Sequence, residues 1–105
     1  MTPAEIAAHL QQYTAAGYDL SQAWWVCFAL GLNNWAAPPA YLAAIRGLGL
    51  AAAETLEEQG GRPVVHCRHH TVPTATGVAA KWAALDAVAR AHRMPPVECF
   101  WLQRV

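Results

Sequence analysis

Apolar positions along the chain recur first at helical spacing, with Ile6, Leu10 and Tyr13 on one face. The preceding Thr2-Pro3-Ala4-Glu5 has the form of a helix start: Thr2 as N-cap, Pro3 in the first turn, Glu5 closing a capping box. Gly17 marks the stop, so the pattern predicts a helix over about residues 3–16. From Ala23 to Leu32 apolar groups occur on every side. Taken at helical period, this stretch predicts a short buried central helix, capped by Asp19 or Ser21 and ended by Gly31 and Asn33-Asn34. Pro38-Pro39 opens a third predicted helix reaching about Gln59, with Tyr41, Ile45, Leu48, Ala52 and Leu56 on its buried face. Gly47 and Gly49 inside it each cost about 1 kcal/mol relative to alanine, which close approach of another helix would explain. Gly60-Gly61 ends it.

The pattern then changes. Pro63-Val64-Val65-His66-Cys67 predicts a short strand, and residues 97–105 a second. Between them Val78, Trp82, Leu85, Ala89 and His92 predict a helix over about residues 76–93, ended by Pro95-Pro96 and supported by an Asp86–Arg90 pair. Strand, helix and strand in that order favour a right-handed crossover with parallel strands. The expected fold is therefore α+β and mainly helical: three N-terminal helices followed by a β-α-β unit of two short strands, in one domain spanning residues 1–105. Two strands make a poor sheet with two open edges, so a homodimer pairing through those edges is expected to complete it.

Composition adds a reason to expect a partner. The chain is 55% apolar but only 13% charged, more apolar surface than one small core readily hides. The longest apolar run is about half a membrane span, and the first residues lack the form of a secretory signal. The three cysteines are widely spaced, which suits reduced thiols in the cytoplasm better than a disulfide framework. Net charge is zero but polarised: residues 1–60 carry −4 and residues 61–105 carry +4, with four of the five histidines in the second part. Such polarity steers an acidic partner or draws the two ends of the chain together.

The densest chemistry lies in residues 62–77. Val64-Val65-His66-Cys67 ahead of a loop and helix resembles the opening of the cysteine phosphatase signature. That signature requires an arginine six residues beyond the cysteine to grip phosphoryl oxygens, and Pro73 stands there. His66, Cys67, His69, His70 and Cys99, with His92, are zinc-ligand types, making a metal such as zinc a candidate. On a strand, Cys67 and His69 share one face and His66 and His70 the other, with Cys99 a candidate to join the first pair. Yet the close ligand pairs of strong zinc signatures are missing, and a solvated polar loop is the alternative. Thr74-Ala75-Thr76-Gly77 offers hydroxyls and helix amides to an anion without the P-loop spacing. Arg62, Arg68, Arg90 and Arg93 offer a basic patch for nucleic acid, although zero net charge is low for that role. Gly17 between the first two helices imitates a helix-turn-helix, but the second carries nothing suited to reading base edges.

No paired carboxylates or nucleophile–base pattern suggests an enzyme or a cofactor. The leading expectation is a small non-enzymatic protein-interaction module of the cytoplasm: a regulator, inhibitor or adaptor of the kind common in bacteria and mobile elements. It would bind a larger protein or its own copy. Nucleic-acid or anion binding through the basic C-terminal half, and metal binding through the His/Cys cluster, are the alternatives. The partner-binding candidates are Trp35, Arg68, His69, His70, Arg90, Arg93 and Trp101. Adjacent Trp24 and Trp25 point about 100° apart on a helix, so one of them is expected to meet a neighbouring helix or a partner. Trp101 shares a strand face with Cys99 and Gln103, opposite Phe100 and Leu102.

Overall fold

The computed structural model describes residues 1–52, 57–59 and 61–105. Its elements alternate: α1 (Pro3–Ala15), β1 (Trp24–Gly31), α2 (Pro39–Arg46), β2 (Ala51–Ala52), β3 (Glu57–Gln59), β4 (Arg62–Thr71), α3 (Ala75–Ala91) and β5 (Val97–Gln103). The expected order of three helices followed by β-α-β is wrong, because residues 24–31 form a strand. An apolar run of this length has no period to separate a helix from a strand buried on both faces. Asp19 therefore caps no helix. It closes a turn by accepting from the Ser21 N–H at 3.0 Å, and the chain enters β1 from there.

β1 is the middle of the sheet. It pairs antiparallel with β4 in the register Phe28↔Cys67 and with β5 in the register Phe28↔Phe100. β2 and β3 pair with the outer side of β4, giving a five-stranded sheet. β4 and β5 run parallel to each other, as a crossover through α3 requires, but the chain's own β1 lies between them. The partner strand assigned to a second copy is thus supplied internally, and completion of the sheet by dimerisation falls away. α1 also runs beside the far edge of β5: the Leu102 N–H donates to the Tyr13 hydroxyl at 3.2 Å, and the His9 ring stacks edge-on against Phe100.

The helices pack on one face of this sheet. Ile6 and Leu10 of α1, Tyr41 and Ile45 of α2, and Val78, Trp82, Leu85 and Ala89 of α3 join Val26, Phe28 and Leu30 in one core. Val26, Phe28 and Leu30 are fully buried, each stabilising the fold by on the order of 1.5–3 kcal/mol. Trp24 belongs to the same face, its indole N–H donating to the Asp19 carbonyl at 2.8 Å.

Local signals hold where they are strong. The Thr2–Glu5 capping box forms in both directions, at 3.2 and 2.9 Å, and α3 nearly matches its predicted bounds. α2, by contrast, stops at Arg46 rather than reaching Gln59. Gly47 is the C-cap of α2, and Gly49 at φ +85° makes the left-handed turn that leads into β2, so the two glycines serve the end of the helix rather than a crossing one. Leu48 follows the helix and Ala52 lies in β2, while Leu56 and Gly60 lie outside the described residues. The predicted Asp86–Arg90 pair is also replaced: Asp86 accepts from the Val97 N–H at 2.9 Å, tying α3 to the start of β5.

Tyr41 is fully buried, and among the described residues its hydroxyl meets no hydrogen-bond partner. An unmet buried hydroxyl destabilises, whereas the ring fills its space usefully. Tyr41→Phe is expected to raise stability by about 1 kcal/mol, read as a higher urea midpoint at unchanged slope.

Candidate binding face

The second face of the sheet carries no described helix. Strand alternation assigns to it Trp25, Cys27, Ala29 and Gly31 of β1, His66, Arg68 and His70 of β4, and Cys99, Trp101 and Gln103 of β5. Its central row is small, and that decides its form. His66 lies opposite Ala29 on one side and Trp101 opposite Cys27 on the other. With little side chain between them, the two rings meet edge to face over β1 at 4.9 Å. Cys27 and Ala29 are buried beneath this roof, with no helix among the described residues over them.

Arg68 uses the same space. It faces Cys27 in register and reaches diagonally, bringing its guanidinium carbon 4.2 Å from the centre of the Trp25 ring. His70, directly opposite Trp25, packs on that indole at 5.3 Å. Gln103 accepts from the Cys27 thiol at 3.7 Å. At the far end, β5 makes a bulge where its register against Ala29 and Leu30 shifts. Glu98 sits in this bulge beside Gly31, where a Cβ would come within 3.1 Å of its carboxylate, and it pairs with Arg62 at 2.8 Å.

The proposed metal ligands are divided by the sheet. Cys67 and His69 lie on the helix face, whereas His66, His70 and Cys99 lie on the other. Cys99 therefore does not join Cys67 and His69, and β1 separates its strand from theirs. His92 packs against Tyr41 on the helical side. Among the described residues no three such groups converge on a metal-sized site.

The thiol chemistry is shut off by the same geometry. Cys67 is 1% exposed, and burial pushes its thiol up to about 12, with Cys27 adding to the shift. Burial also raises Cys27, opposed by the nearby Arg68. Neither presents the exposed thiolate that nucleophilic catalysis needs. At the start of α3, Thr74 already accepts from the Gly77 N–H at 3.0 Å, so the chain caps the helix end proposed for an anion. Lys81 donates to the Leu48 carbonyl at 2.7 Å instead of reaching that end.

The partner-binding candidates separate into groups. Arg68, His70 and Trp101 come together on the uncovered face. His69 stacks on the core ring of Phe28 and borders a cavity of about 100 Å³ with Thr74 and Gly77. Arg90 and Arg93 are exposed at the end of α3, and Arg93 receives a hydrogen bond from Asn33 on its carbonyl. Trp35, in the loop after β1, is 51% exposed. Trp25 and Gln103 were absent from the candidates, and period-two alternation through β1 would have found Trp25. No family model, curated protein or solved structure matches the chain.

Two outcomes follow from these environments. Cys67 is expected to resist alkylation in the native protein at mildly alkaline pH and to react fully once unfolded. Desolvation, aided by Lys81, lowers the His69 pKa below 6.5. The unfolded chain therefore takes up this proton more readily, and stability is lost as pH falls through and below about 6.5. The melting temperature of the His69→Gln variant is expected to depend less on pH between about 7 and 5 than that of the wild type.

Proposed function

We propose that this chain is a small non-enzymatic protein-interaction module of the cytoplasm, a regulator, inhibitor or adaptor, which docks its partner on the sheet face that no described helix covers. One observation carries the reading: that face gathers Trp25, Trp101, Arg68 and the imidazoles of His66 and His70 into one layer. Tryptophan and arginine supply most hot spots at protein interfaces, because each combines a broad apolar surface with directed hydrogen bonding. Their mutual stacking also limits how much side-chain freedom is lost on docking. The burial of Cys67 and its protonated thiol argue for binding rather than thiol catalysis at the segment that resembles a phosphatase. No helix among the described residues is long and apolar enough to cross a membrane.

A photo-crosslinking benzoylphenylalanine in place of Trp101, expressed in the native host, tests this reading. Irradiation is expected to give a protein adduct at position 101 and none from the same probe at Ala83, which is exposed on α3. Equal labelling from both positions, or no protein adduct at 101, would overturn it.

A further inference from the structure

Resting on that docking reading, we infer that the partner is an acidic protein segment whose carboxylates are read by Arg68 stacked on Trp25. The guanidinium carbon lies 4.2 Å from the centre of the indole, a contact that restrains a flexible side chain against the sheet. A guanidinium held this way keeps its N–H groups for a planar acceptor, and a carboxylate matches that fork with two parallel hydrogen bonds.

The surrounding charges favour the same partner. Among the described residues no carboxylate pairs with Arg68, whereas Arg62 is already matched by Glu98 at 2.8 Å. Glu98 thus has its charge answered inside the chain. Among the described residues, exposed Arg68 is left without a carboxylate partner, with exposed His70 beside it on β4. An approaching acidic segment meets attraction at the Trp25 end and apolar ring surface at Trp101.

A single-stranded nucleic acid fits less well. Bases need open aromatic faces to stack on, and here the chain's own groups hold them: Arg68 and His70 at Trp25, His66 at Trp101. A phosphate backbone would also follow a long, strongly basic track, whereas the chain has net charge zero. A second copy would bring Arg68 toward a like-charged face.

The test uses the full 105-residue chain, ¹⁵N-labelled, titrated separately with a random Glu–Tyr copolymer, with poly(U) RNA and with polylysine. The copolymer is expected to shift the indole N–H signals of Trp25 and Trp101, with affinity falling as salt rises. Arg68→Glu is expected to weaken it about tenfold or more, Arg68→Lys to restore part of that loss, and Arg90→Glu to leave it unchanged. Because Arg68 is exposed, these variants should retain the wild-type fold, checked by their remaining amide signals. Poly(U) moving the indole signals while the copolymer does not would identify a nucleic-acid face and overturn the inference. Concentration-dependent shifts of those signals without any probe would do so in favour of a second copy. Copolymer binding unaffected by Arg68→Glu, or absent altogether, also overturns it. An adduct from position 101 would then leave the docking reading standing with a partner of different chemistry.

Discussion

The fold turns on how residues 24–31 are buried. Eight consecutive residues with almost no polar side chain leave water only if both faces and both edges of their strand are occupied. The edges are taken by β4 and β5, which brings the C-terminal strand between α1 and the rest of the sheet. The helices take one face through Val26, Phe28 and Leu30. The other face carries no helix among the described residues, and its small central row is covered by side chains reaching inward from the two neighbouring strands. The aromatic and cationic layer of the binding face is therefore a consequence of how β1 is enclosed.

That dependence explains what could be read from the chain. The capping box at Thr2 and Glu5, the helical period of α3 and the alternation of β5 are local, and each was legible, whereas β4 runs on past Cys67 to Thr71. The division of His66 and His70 from Cys67 and His69 was legible too, because it needs only the period of a strand. The identity of β1 was not. A run apolar at every position satisfies a buried helix and a buried strand equally, and what decides is pairing with distant residues, from Gly31 with Val64 to Trp25 with Gln103. On a helix Trp24 and Trp25 stand on neighbouring sides of a cylinder. On a strand they part completely, Trp24 into the core and Trp25 onto the opposite face.

The same error multiplied through the site. Without β1 between them, β4 and β5 looked like adjacent strands with open edges, and Cys99 looked like a neighbour of Cys67. With β1 in place, the ligand types of residues 62–77 divide between a dry side and a wet side. The wet side retains arginine, imidazole and indole, a chemistry of recognition, while the dry side retains a thiol that burial holds protonated. The apolar excess of the composition is likewise accounted for more by a strand enclosed on both faces than by an open edge.

The central strand also sets the order in which this protein can form. β1 is made well before β5, yet Trp25 pairs with Gln103, far along the chain from it. Until β5 exists, the most apolar segment has an unfilled edge, and contacts this distant in sequence make for slow closure. During that interval residues 24–31 form an apolar, uncharged stretch of high β-propensity, the kind of segment that pairs with other chains. Loss of β5 would leave that edge open, so this strand acts as a latch that ends the exposure of residues 24–31 to other chains.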